Sequence, residues 1–258
     1  MLLDRQLVEV DERLMETVAG NSAALEVIYN RIPNFPVTPK IIVNSARDRD
    51  AISILLDRQN NRVLITEEVI KASLSGVHPA SVINLLLTRL GPEAVPITEE
   101  ILILAIQQNT TRPLELLLEQ RRDLNLSAVW EAVWPDPEIN PFDLAQAAGA
   151  LFQYVSFDVS EKMLERFPSE FRHENGYFFR YPFDTFMRSC MQHRIPLPTI
   201  EAAVELIVGR SSLNTVDIFL ENHPDLLITE KHVEAAKGNP RKDVDKDALV
   251  SLLSARLG

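Results

Sequence analysis

The chain has 258 residues, 46% of them hydrophobic, and its 26 Lys and Arg against 37 Asp and Glu give a formal net charge of −11. That sign opposes a phosphate backbone, whose binding depends on clustered Lys and Arg, so nucleic acid is excluded as the expected ligand and basic partners are mildly favoured. The single Cys190 cannot close an internal disulfide, acidic residues at positions 4, 9, 11 and 12 break up any signal peptide, and no apolar run approaches the roughly 20 residues that span a bilayer, so a cytoplasmic protein with no membrane association is expected.

The chain opens on Met1-Leu2-Leu3-Asp4-Arg5-Gln6, text that returns at Leu55-Leu56-Asp57-Arg58-Gln59. It is therefore expected to begin at the end of a helix whose first half is missing, as a fragment of a longer array or a shortened cap. A second phrase starts at Val10-Asp11-Glu12-Arg13-Leu14 and recurs at Val37-Thr38-Pro39-Lys40-Ile41, Ile65-Thr66-Glu67-Glu68-Val69, Ile97-Thr98-Glu99-Glu100-Ile101, Leu126-Ser127-Ala128-Val129-Trp130, Val159-Ser160-Glu161-Lys162-Met163 and Ile228-Thr229-Glu230-Lys231-His232. An eighth copy, Ile200-Glu201-Ala202-Ala203-Val204, lacks the polar second residue, and successive starts lie 27, 28, 32, 29, 33, 41 and 28 residues apart. A period of this size predicts stacked units that bury their apolar faces against their neighbours.

Each phrase reads as a helix start. Asp11, Thr38, Thr66, Thr98, Ser127, Ser160 and Thr229 are expected N-caps, the acidic residues after them suit the positive end of the helix dipole, and Pro39 sits where its missing amide proton costs nothing. Val10 with Met15, Val37 with Ile42, Ile65 with Ile70 and Ile97 with Leu102 have staple spacing. Gly20, Gly76, Gly209 and Gly238 fall near the expected helix ends, as left-handed C-caps. A second apolar helix follows in every unit, marked by Ile28-Tyr29, Leu55-Leu56, Leu86-Leu87, Leu117-Leu118, Leu151-Phe152, Cys190-Met191, Phe219-Leu220 and Leu252-Leu253, and prolines 33, 36, 92, 96, 196 and 224 lie in the links. The expected fold is all-α, a helical-repeat solenoid of about eight antiparallel helix pairs in one domain, 1–258. Its regular units span 1–121, its divergent aromatic-rich units 122–196 with an insertion at 168–182, and its terminal units 197–258.

The Ile65 to Ile70 phrase, together with the Leu55 to Gln59 text, resembles the degenerate ankyrin-like helical repeats toward the C-termini of large fungal NACHT or other STAND-type NTPase proteins and of fungal ankyrin-repeat proteins. In those repeats an I-T-E-E-V-V-K-A-A-A helix alternates with an L-L-L-D-R-R helix. Residues 65–121 match best, and the units between 122 and 227 keep the register more than the residues. The resemblance implies a fungal, NLR-like recognition part that senses a ligand or binds a protein, attached to a switch module this chain lacks, since no Walker A motif is present.

Of the 2 Trp, 4 Tyr and 11 Phe, fourteen fall between Trp130 and Phe186. Trp130, Trp134 and Phe167 keep the core register and are expected to fill a wider gap between units. The insertion carries Tyr177, Phe178, Phe179, Arg180 and Tyr181 after an Asn175-Gly176 turn signal. Five consecutive residues of this kind cannot all face one core, and aromatic side chains with Arg are the commonest interface anchors, so they are the candidate partner-binding residues.

Catalytic and metal chemistry finds little support. His173-Glu174 lacks the second histidine of a zinc helix, Cys190 and His193 have no second ligand pair, Glu67-Glu68 and Glu99-Glu100 are first-turn neighbours rather than facing carboxylates, and His232 takes an apolar place ascribed to a less buried terminal unit. The expectation is a non-catalytic module that binds a protein or peptide of unknown identity, with no cofactor, together with possible other domains of a longer chain. The alternatives are a helical enzyme with His173, Glu174 and Arg180 near 168–186, or a purely structural array.

Overall fold

The structure is a computed structural model in which residues 10–108, 110–172 and 179–257 are described, with backbone alone at Phe171, Arg172, Phe179 and Arg180. It is all-helical, with sixteen α-helices among the described residues. The chain divides into two compact units, 1–124 and 125–258.

The first unit holds α1 (Glu12–Val18), α2 (Ser22–Arg31), α3 (Pro39–Ser45), α4 (Arg49–Arg58), α5 (Glu67–Leu74), α6 (Pro79–Leu90), α7 (Glu99–Gln107) and α8 (Thr111–Gln120). Every odd-numbered helix begins where the recurring phrase predicts. Helices α1, α3, α5 and α7 pack each on the next, and α2, α4, α6 and α8 do the same, while each odd helix also contacts the even helix that follows it. The core comes from the expected places: Ile41, Val69 and Ile101 of the odd helices and Leu55, Leu86 and Leu117 of the even ones are all within 1% of complete burial. Burying one such side chain is worth about 1.5–3 kcal/mol, which is why apolar spacing overrides the low intrinsic stability of helices this short.

Polar ties also cross from one pair to the next. Lys40 of α3 pairs with Glu16 of α1 at 2.6 Å, and Asn44 donates to the Glu16 carbonyl at 2.8 Å across 28 residues. Arg89 of α6 reaches Asp57 of α4 at 2.6 Å across 32 residues, and the Arg58 guanidinium lies 4.6 Å from the ring centre of Tyr29 in α2.

The second unit holds α9 (Leu126–Val133), α10 (Pro141–Leu151), α11 (Glu161–Glu165), α12 (Pro182–Gln192), α13 (Glu201–Arg210), α14 (Leu213–Asn222), α15 (Glu230–Lys237) and α16 (Lys246–Ser254). The order persists, with α11 on α13 and α13 on α15, and with α10 on α12, α12 on α14 and α14 on α16. Arginines supply some of the ties: Arg210 of α13 donates to the carbonyls of Leu164, Glu165 and Phe167 at the end of α11, and Arg166 donates to those of Asp136 and Ile139. Arg210 thereby serves carbonyls in the last turn of α11, and Arg166 serves carbonyls of the loop between α9 and α10.

Three local expectations change. The cap of α9 is Asn125, whose side chain accepts from the Ala128 amide at 3.1 Å, so Ser127 lies inside the helix. Asn125 stands one place before the apolar Leu126, so the helix starts two residues earlier than a Ser127 cap would set it, and the capped amide is that of Ala128 instead of Val129 or Trp130. Thr66 makes no cap bond to the backbone; its hydroxyl instead engages Glu68, whose carboxyl is held below its ordinary value chiefly by that contact.

Gly20, Gly76, Gly209 and Gly238 are not left-handed stops; the glycine with positive φ is Gly91 (φ 82°), which closes α6. Gly238 closes α15 at φ −77°, Gly209 lies within α13, and the left-handed turns after α4 and α12 fall on Asn60 (φ 48°) and Arg194 (φ 54°). Both turns have the paired bonds of a Schellman motif, Asn61 to Leu56 with Asn60 to Asp57, and Ile195 to Cys190 with Arg194 to Met191. What Gly76 provides is proximity: a Cβ there would stand 2.6 Å from the Arg47 carbonyl oxygen.

Candidate functional site

The aromatic stretch is largely core. Trp130, Phe152, Phe157, Phe167 and Phe186 form one cluster with ring centres 4.2–6.3 Å apart, and each is at most 8% exposed. Trp130 and Phe167 therefore pack as their register predicts, while Trp134 is half-buried at the end of α9. The small Ala145 and Ala148 are fully buried in α10, beside rings that stand where other pairs use Leu and Ile.

At the root of the insertion, Phe171–Arg172 (β1) pairs antiparallel with Phe179–Arg180 (β2), Phe171 opposite Arg180 and Arg172 opposite Phe179, and the Phe183 amide donates to the Pro168 carbonyl at 3.3 Å. Of the five candidate partner-binding residues, Tyr177 and Phe178 lie outside the described residues, Phe179 and Arg180 contribute the backbone of β2, and Tyr181 is the half-buried residue that precedes α12. His173 and Glu174 also lie outside the described residues.

Tyr181 belongs to a cluster that the recurring phrase does not announce. The Arg241 guanidinium lies 3.9 Å from its ring centre, a cation over a π face. Arg241 is 3% exposed and grips Asp243 with two bonds, at 3.0 and 2.6 Å, while its other terminal nitrogen is bonded to Asp184, which is equally buried. Asp184 also accepts from the Ser212 amide at 3.0 Å, with Arg188 3.8 Å away. The loop that carries Arg241 is fixed in turn by Asn239, which donates to the carbonyls of Val208 and Ser211, and by Glu170, which accepts from the Lys242 amide.

Burial works against the Arg241 charge, but the bonds to Asp243 and Asp184 outweigh it, so its pKa stands above the ordinary value. Asp243 is held below the usual carboxylate value by Arg241, and burial with the nearby Asp243 charge raises the Tyr181 phenol. This cluster is a structural clasp between the root of the insertion and the 239–243 loop: its charges are satisfied by one another, so it has no free acid, base or nucleophile to offer.

Cys190 is fully buried in α12, and burial pushes its thiol up, away from the thiolate form that would attack an electrophile or bind a metal. Among the described residues no group of three or more His, Cys, Asp and Glu side chains could hold a metal ion, and no helix is long and apolar enough to cross a membrane.

His232 is not a loosened terminal residue. It is 2% exposed, and its Nδ1 accepts from the Thr229 amide at 3.0 Å, completing a capping box in which histidine replaces the usual Glu or Gln. It lines a cavity of about 610 Å³ with Thr199, Glu201, His223, Asp225 and Leu227. That volume falls within the range of ligand clefts, and its walls mix carboxylates with apolar carbon.

Sequence reasoning missed the clasp, because Asp184 lies 57 residues before Arg241 and its near neighbour Asp243, and the two segments share no motif. It also missed the second-helix caps Asn21, Asp48, Asn140, Ser212 and Asp245, although each is a short polar residue just ahead of its helix and so carries a readable signal. Comparison of the chain with protein-family models, with curated proteins and with solved structures returned no match.

Proposed function

We propose that the chain is a non-catalytic helical-repeat solenoid, ankyrin-like but degenerate, that binds a protein or peptide and serves as the recognition or scaffold portion of a larger fungal, cytoplasmic sensor. The observation that carries this reading is the pairing rule within each unit: α1, α3, α5 and α7 pack in succession, as do α2, α4, α6 and α8, then α11, α13 and α15, and α10, α12, α14 and α16, and polar ties recur at separations of 28, 32 and 30 residues. Stacked pairs of this kind present an extended surface and direct insertions outward, which favours recognition over the enclosed, polar-lined pocket that catalysis uses. The clasp supports it further, because it fixes Tyr181, which follows the β2 strand of the insertion, against the 239–243 loop.

The test is affinity capture with the intact chain and with a variant carrying Tyr177→Ser and Phe178→Ser, quantified by mass spectrometry against an unrelated protein of similar negative charge. A partner enriched by the intact chain and lost from the variant supports the reading and gives the insertion the binding role. Identical captures by all three proteins would overturn it.

A further inference from the structure

Two departures from the repeat fall on the same cavity. The residue capping the first helix of a pair is Asp, Asn, Ser or Thr in every case except α13, where Ile200 takes the place and makes no side-chain cap bond. The third helical residue is apolar in every first helix except α15, where it is His232. Thr199 and Glu201, on either side of Ile200, line the cavity, and so does His232. The first change leaves first-turn amides of α13 without a side-chain cap, and the second trades apolar carbon for an imidazole whose Nδ1 closes the capping box of α15 while its Nε2 finds no partner among the described residues.

The cavity's chemistry is mixed. Asp225 is exposed, and Glu201 is held ionised chiefly by its bond to Lys231, itself 66% exposed. Leu227 and Ile200 leave 75% and 57% of their surfaces open, among the most exposed large apolar residues described. His232, with Nδ1 already accepting, carries its proton on Nε2, and that buried donor has no partner in the described residues. A metal ion would satisfy the carboxylates alone, and a phosphate would satisfy the amides while being repelled by the carboxylates. A peptide brings a cation, apolar carbon and carbonyl oxygens together.

We propose that this cavity is a docking site for a peptide segment that alternates apolar and basic side chains. This inference rests on the binding-module reading and names the chemistry of one of its partners. The basic group sits by Asp225 and Glu201, taking the place of Lys231; the apolar side chains cover Leu227 in the cavity and the exposed Ile200 between two of its lining residues; and the peptide carbonyls accept from the first-turn amides of α13.

The test is fluorescence anisotropy with a short labelled peptide alternating leucine and arginine, alongside matched peptides of leucine with glutamate and of serine with arginine, titrated with the full chain. The leucine–arginine peptide is expected to bind about tenfold or more tighter than either control, a difference of about 1.4 kcal/mol. The exposed double variant Glu201→Gln, Asp225→Asn and, separately, Leu227→Ser should each weaken it by a similar factor of about ten, with helical content unchanged by circular dichroism. Tyr177→Ser with Phe178→Ser should leave this affinity unchanged. Equal binding of the glutamate peptide, no saturable binding of any peptide, or binding indifferent to the cavity variants would each overturn the proposal. The wider binding-module reading would then still be decided by capture through the insertion.

Discussion

Replacing Arg241 with Met removes a guanidinium that is 3% exposed and leaves the carboxylate of Asp184, also 3% exposed, without its main counter-charge. Breaking a buried ion pair from one side costs about 3–5 kcal/mol. The lower end applies, because Asp184 keeps the Ser212 amide at 3.0 Å and the largely exposed Arg188 at 3.8 Å. The contact with Tyr181 adds about 0.5–2 kcal/mol, and the bond to Asp243, whose side chain is 44% exposed, adds at most about 1. The expected loss is therefore about 3.5–6 kcal/mol in all. Both tryptophans, Trp130 and Trp134, belong to the second unit, so fluorescence-monitored urea unfolding reports on the unit that holds the clasp. Arg241→Met combined with Asp184→Leu should recover at least about 1.5 kcal/mol relative to the sum of the single changes, because the stranded charge goes with its partner. A single-variant cost below about 1 kcal/mol, or strict additivity in the double variant, would refute the assignment of a buried, mutually dependent pair.

In the first unit, Leu86→Ala should cost about 2–5 kcal/mol and Asp48→Ala about 1, whereas Thr66→Ala, whose hydroxyl caps no amide, should change stability by a few tenths of a kcal/mol; thermal melts by circular dichroism separate the three. Gly76→Ala drives a Cβ to 2.6 Å from the Arg47 carbonyl and should destabilise by about 1–3 kcal/mol in the same assay. Asp243 has its folded pKa below the ordinary 3.8, so its bond to Arg241 stabilises above that value and is lost as pH falls through the folded value. Acid titration of Asp243→Asn should accordingly show a shallower loss of stability below 3.8 than the parent. Cys190 should resist a thiol reagent in the native chain and react fully in urea, as a chromogenic disulfide assay reads directly.

Much of the helical framework is readable from spacing alone, because phrases such as Ile97-Thr98-Glu99-Glu100-Ile101 combine an apolar staple, a cap and a core residue within one turn, and each of these acts locally. Where several local choices serve, the reading slips: Asn125 and Ser127 are both good caps two residues apart, and it is Asn125 that accepts a first-turn amide. Glycine was read as a left-handed stop, but Asn60 and Arg194 take those conformations while Gly76 answers a close approach from Arg47, a distance that sequence does not encode. The clasp was illegible for the same reason. Asp184 and Arg241 are 57 residues apart and meet through the packing of several elements, not through any short pattern. The insertion residues Tyr177 and Phe178 remain a sequence reading, while Tyr181, grouped with them by adjacency, is held under Arg241.

The pairing rule is tested most directly by zero-length carbodiimide crosslinking, which joins an amine to a carboxylate only when they touch. Lys40 and Glu16, 2.6 Å apart on α3 and α1, and Lys231 and Glu201, 2.8 Å apart on α15 and α13, should each give an amide-linked peptide by mass spectrometry, at the period of the repeat in both units. Lys71 and Glu67, 3.3 Å apart within α5, give the internal control. Both inter-pair products alongside the control is the result the stacked pairs require; the control product without either of them, or links from Lys40 and Lys231 to carboxylates on unrelated helices, would contradict it.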